Sequence, residues 1–109
     1  MTATEIPVRA LLNAQTGRIG WPDLARHFAR GVVVCVAAGE DLLAVAERFV
    51  GDCAQDIEQL SETGRLWRAQ DRDARRWQQE PRTRFWAVVV APWVLVQEAD
   101  PEEENSNAN

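Results

Sequence analysis

Two uninterrupted apolar runs, Val32-Val33-Val34-Cys35-Val36-Ala37 and Phe85-Trp86-Ala87-Val88-Val89-Val90-Ala91-Pro92-Trp93-Val94-Leu95-Val96, constrain this chain more than any other feature. Both are rich in β-branched residues and neither alternates apolar with polar. A strand with one wet face reads as an alternation, so these runs describe strands covered on both faces. The first predicts a central strand and the second is strand-like throughout. Pro92 lacks the N–H that a ladder needs, so it belongs at an edge, a bulge or a bend.

The segments around these runs carry helical signals. Pro7 opens a helix running to Thr16, with Val8, Leu11 and Leu12 on its apolar side and Gly17 after its end. Pro22 opens a second, whose Leu24, Ala25, Phe28 and Ala29 form a stripe and which Gly31 closes. Asp41 caps a third over Leu42 to Val50, apolar around most of its circumference and therefore expected inside. Asp52 and Gln55 have capping-box spacing for a fourth, ending at Gly64, with Ile57 and Leu60 as its firm apolar positions. Arg65 to Arg68 predicts a short strand. Asp71 to Glu80 predicts a last helix, anchored by Ala74 and Trp77 and stopped by Pro81. These elements make an α+β domain with a small sheet of three to four short strands packed against about five helices.

A chain of 109 residues supports one hydrophobic core rather than two independent ones. A single domain is expected over residues 1–97, followed by an acidic, disordered tail over 98–109. The second apolar run is too short to cross a bilayer as a helix, and Met1-Thr2-Ala3-Thr4-Glu5 lacks the basic start of a secretory signal, so no membrane role and a cytoplasmic location are expected. Cys35 and Cys53 are too few and too far apart for a disulfide framework or a zinc cluster.

The net charge of −5 is unevenly spread. Residues 65–84 hold seven arginines against three acids, whereas residues 85–109 hold five acids and no base. The chain contains neither lysine nor tyrosine, which removes Schiff-base chemistry, a phosphate-loop lysine and a phenolic acid.

Leu12-Asn13-Ala14-Gln15-Thr16 with Ile19 and Trp21, the valine strand leading to Asp41-Leu42, and Trp86 through Ala91-Pro92-Trp93-Val94-Leu95-Val96-Gln97-Glu98 together resemble the bacterial family called domain of unknown function 2288. Ala74 and Trp77 match the family's helix after the short strand, while Gln70 stands where the family carries a serine cap, a task that Asp71 is placed to take over. The resemblance implies a domain type and brings no activity, ligand, cofactor or catalytic residue.

Three functional readings follow. In the first, the domain is noncatalytic and self-associates or binds a protein partner, because Phe85 to Val96 carries more apolar surface than one covering layer hides; Trp86, Pro92, Trp93 and Trp77 are its interface candidates. In the second, the Arg65–Arg84 segment binds nucleic acid, with Arg72, Arg75 and Arg76 on phosphates and tryptophans stacking on bases. The acidic pI of about 4.8 favours instead a solvated helix side. In the third, a small enzyme centres on His27 or on Cys53, whose place at a helix start lowers a thiol pKa while Asp52 opposes it. The bland alternatives are a boundary histidine and an idle thiol, and no metal site or cofactor is expected.

Overall fold

A computed structural model describes residues 11, 12, 15–80 and 82–99. Its elements are β1 (Gly17–Gly20), α1 (Trp21–Ala29), β2 (Val33–Val36), α2 (Leu42–Val50), α3 (Ala54–Glu62), β3 (Leu66–Arg68), α4 (Asp71–Gln79), β4 (Arg84–Val90) and β5 (Trp93–Glu98). The strands form one mixed sheet in the order β1-β4-β5-β2-β3, with β2 and β5 parallel and every other pair antiparallel. The described residues thus hold four helices and five strands, two strands more than the two valine runs and the short basic segment predict and one more than the upper bound of four. The expected first helix falls mostly outside the described residues; Leu11, Leu12 and Gln15 are helical, and Leu12 is buried.

The two extra strands have separate causes. The run Phe85 to Val96 is not one strand but a tight hairpin, β4 and β5, reversing at Ala91 and Pro92 across a cis peptide bond. Of the edge, bulge or bend open to Pro92, the bend is realised. The other strand, β1, is Gly-Arg-Ile-Gly, which the sequence leaves as the connection after the first helix, with Gly17 just past its end. Glycines at both ends of four residues suppress any strand signal, and only pairing with β4 makes the segment extended.

Side chains on successive strand residues point to opposite faces, and here each face meets its own helical layer. Val34, Val36, Val88 and Leu95 pack beneath α2 and α3, together with Leu42, Val45, Ala46 and Leu66. Val33, Cys35, Phe85, Val94 and Val96 pack beneath α1 and α4, with Leu24 and Trp77. The missing alternation in the valine runs is the direct imprint of this sandwich. On the second face, Trp21, Trp77 and Phe85 form an aromatic chain with ring centroids 5.6 and 4.9 Å apart.

Helix starts follow local chemistry, with two corrections. The Asp41 carboxylate accepts from the Ala44 N–H at 3.2 Å, as expected of the α2 cap. Asp52, however, does not cap α3. Its backbone is left-handed, with φ 54°, and Cys53 holds the cap position without a side-chain bond. At α4 the reciprocal bond comes not from Asp71 but from buried Asp73, whose carboxylate accepts from the Gln70 N–H at 2.9 Å. Nor is α2 buried all round: Leu42, Val45 and Ala46 are inside, while Val50 is exposed. The ordered chain runs through strand residue Glu98 and buried Ala99, past the expected boundary at 97, and residues 100–109 lie outside the described residues.

Candidate functional site

The hairpin decides where the interface candidates lie. In an antiparallel pair, opposed residues share a face, and Val90 opposes Trp93 while Trp86 opposes Gln97. Trp86 and Trp93 therefore lie on the same face of the sheet, that of α2 and α3, although an odd separation in a single strand would put them on opposite faces. Four residues of register place them roughly 13 Å apart at about 3.3 Å per residue. Trp86 is half-buried beneath the Arg18 guanidinium, 4.5 Å from its ring centroid. Trp77 lies on the other face, 1% exposed, and belongs to the core rather than to a surface.

Pro92 and Trp93 remain together at the hairpin tip. Beside them a cleft of about 660 Å³ opens between α3, β3 and the tip. Its apolar wall is Val34, Phe49, Ile57, Leu66, Val90, Pro92 and Trp93, and its polar rim is Asp52, Glu58, Ser61 and Arg68. The Arg68 guanidinium stacks 5.4 Å from the Trp93 ring centroid and donates to the Gly31 carbonyl from Nε at 2.9 Å and Nη2 at 2.6 Å. This arginine fixes the Trp93 ring at the cleft mouth. On the opposite sheet face, Val89 at the same tip is 54% exposed. The two helical layers cover most of Phe85 to Val96, so the uncovered apolar surface is confined to this end of the hairpin.

Phe49, Ile57 and Arg68 are cleft residues that the sequence does not mark as interface candidates. A signal existed for Phe49: α2 carries more apolar residues than one buried stripe can absorb, so part of that helix had to face something other than the core. For Arg68 there was none, since its partners Gly31 and Trp93 are distant in sequence.

The basic segment does not gather. Arg65 lies 3.8 Å from Glu40, and Arg68 is committed to Gly31 and Trp93. Arg76 forms a bidentate pair with Glu98 and lies 3.8 Å from Glu80. Arg72 and Arg75 are exposed on α4. The Glu98 carboxyl is held below the usual range, chiefly by the Arg76 hydrogen bonds, against the cost of burial and with help from the Trp77 indole N–H at 3.3 Å. A depressed folded-state pKa stabilises above the unfolded value, and that contribution disappears as pH falls through the folded one. Glu98→Gln is expected to cost at most about 1 kcal/mol at pH 7, because the pair is partly solvated, and to flatten the acid limb of the urea-midpoint-versus-pH curve.

His27 and Cys53 are not brought together. His27 sits half-buried in the last turn of α1, which covers one face of the sheet, and Cys53 precedes α3 on the other. Among the described residues, no three His, Cys, Asp or Glu side chains are grouped so as to hold a metal ion. The Cys35 thiol is pushed up from 9.0 to about 12, first by burial and then by the Asp73 and Glu98 carboxylates. The unfolded chain ionises this thiol from about pH 9 upward while the fold keeps it protonated, so stability falls across pH 9 to 12 by up to about 1.4 kcal/mol per pH unit. With neither lysine nor tyrosine in the chain, the side chains that titrate in this window are the two cysteine thiols, and Cys35→Ala separates the Cys35 contribution from that of Cys53. Urea midpoints at pH 8 and 10.5 are expected to diverge in the wild type and to converge in Cys35→Ala.

Among the described residues, no helix is long and apolar enough to cross a membrane. Comparison with known proteins gives two results of one kind. A family model described as "Protein of unknown function (DUF2288)" matches residues 7–98. The NMR solution structure of PA1075 from Pseudomonas aeruginosa is 31% identical and superposes with a TM-score of 0.75, each chain covered to 94%. No curated protein matches the sequence.

Proposed function

The chain belongs to the DUF2288 family, and from that premise we propose that it is a noncatalytic interaction module which binds another polypeptide, a second copy or a different protein, at the β4–β5 hairpin tip. The observation that carries this reading is the joining of exposed apolar residues at the tip, Val89 and Pro92, with an apolar cleft whose mouth holds Trp93. An aromatic ring at the edge of a preformed pocket is what protein interfaces use as an anchor. The acids and the single arginine on the rim suit orientation of a partner.

The purified chain at micromolar concentration, examined by light scattering and used as bait, tests the reading. A self-assembled species or a retained partner is expected for the wild type and is expected to be lost in Trp93→Ala. A strict monomer that retains nothing, or retention indifferent to Trp93, contradicts it.

A further inference from the structure

We infer that the cleft receives an extended polypeptide segment of a different protein, basic beside its apolar anchor, which adds as a sixth strand along the free edge of β3. This inference rests on the proposed function and names the class of partner.

The hydrogen-bond parity of β3 supplies the first step. Ala37 N–H donates to the Arg65 carbonyl and Ala69 N–H donates to the Val33 carbonyl, each at 3.0 Å, and Cys35 opposes Trp67 in the register. Residues 65, 67 and 69 therefore face β2 with their backbone groups, and the N–H and C=O of Leu66 and Arg68 face outward. Among the described residues these outward groups have no hydrogen-bond partner, but Leu66 is 4% exposed whereas Arg68 is exposed, so the Arg68 pair is the accessible part of this edge. Proteins often guard such an edge by keeping it short and charged. Here the strand is short, but the Arg68 side chain is drawn away to Gly31 and Trp93 and does not shield it.

What lies beside the edge gives the second step. Leu66, Trp67 and Arg68 themselves line the cleft, so one occupant can use the backbone edge and the apolar wall together. Only an extended chain offers both, pairing its main chain with exposed Arg68 while alternate side chains drop toward Ile57 and Phe49.

Charge sets the partner's sign. The α3 side of the rim carries exposed Asp52 and Glu58, and among the described residues neither is in an ion pair, whereas Arg68 is engaged. A lysine or arginine next to the apolar anchor complements this rim. A second copy docked edge to edge would bring two acidic α3 helices, each with Asp56, Glu58 and Glu62, side by side, which disfavours that occupant.

The probe is a phage-displayed library of random nonapeptides selected on the full chain, with enriched peptides synthesised and their Kd measured by fluorescence anisotropy. The decisive comparison is Arg68→Pro against Arg68→Ala. Both lose the guanidinium, but only proline also deletes the outward N–H, and it does so without removing a bond to β2. Circular dichroism confirms that each variant is folded. Glu58→Lys, on the exposed rim, tests the sign of the charge without touching the core. Enriched peptides with alternating apolar residues and an adjacent basic residue are expected, bound at least tenfold more weakly by Arg68→Pro than by Arg68→Ala and several-fold more weakly by Glu58→Lys. Equal binding to the two Arg68 variants, or enrichment of acidic peptides, overturns strand addition while the interaction module stands. Absence of any enriched peptide, alongside Trp93-dependent assembly in light scattering, overturns it in the same way; absence of both overturns the two readings together.

Discussion

Trp77→Ala is expected to destabilise the domain by about 3–5 kcal/mol, lowering the thermal midpoint by more than about 10 °C. The indole fills the space between α4, α1 and the sheet, against Trp21 and Phe85, and is 1% exposed. Its Nε1–H also donates to Glu98, so truncation removes one of the contacts that hold that carboxylate. A rigid sheet on one side and a helix capped through Asp73 on the other leave little freedom for the cavity to collapse. Since a domain of this size has roughly 5–15 kcal/mol in all, the variant sits at the edge of unfolding. Chemical denaturation followed by tryptophan fluorescence and by far-UV circular dichroism reads this loss.

Leu95→Ala tests the opposite face with comparable severity, at about 2–5 kcal/mol. Leu95 is fully buried on β5, flanked by Val34 on one neighbouring strand and Val88 on the other, beneath α2. If the sheet were covered on one side only, one of these two substitutions would fall on a wet face and cost less than about 0.5 kcal/mol. Large losses at both Trp77 and Leu95 are the energetic signature of a sheet between two helical layers. Val89→Thr at the exposed tip is the matched control, expected to leave stability nearly unchanged.

Much of this architecture was legible in the residues. The valine runs announced strands covered on both faces because burial on both sides erases alternation, and Asp41 with the apolar residues behind it gave α2 its observed bounds, Leu42–Val50. What escaped was non-local. β1 has no strand propensity of its own and exists through its ladder with β4. The reversal at Ala91-Pro92 is marked by one proline, which the sequence allowed at a bulge, an edge or a bend. That single ambiguity moved Trp86 and Trp93 onto one face and left only Trp93 at the cleft. Trp77 was both the anchor of its helix and an interface candidate, and the anchor role is the one realised, since at helical spacing the neighbouring arginines point outward while the indole points in. Arg68 drew notice only as one charge among seven, and its stacking on Trp93 depends on three strands meeting in space.

The β4–β5 reversal fixes the sheet order, the two cores and the position of the cleft, so side-chain nuclear Overhauser contacts of the tryptophan rings probe the account most directly. Trp93 ring protons are expected to contact Val90 and the residues beneath α2 and α3, with Trp77 ring protons contacting Trp21 and Phe85 and no cross-peaks joining Trp93 to Trp77. Cross-peaks between the Trp93 ring and the aromatic chain of Trp21, Trp77 and Phe85 would place the hairpin tip on the wrong face and contradict both the fold and the site built upon it.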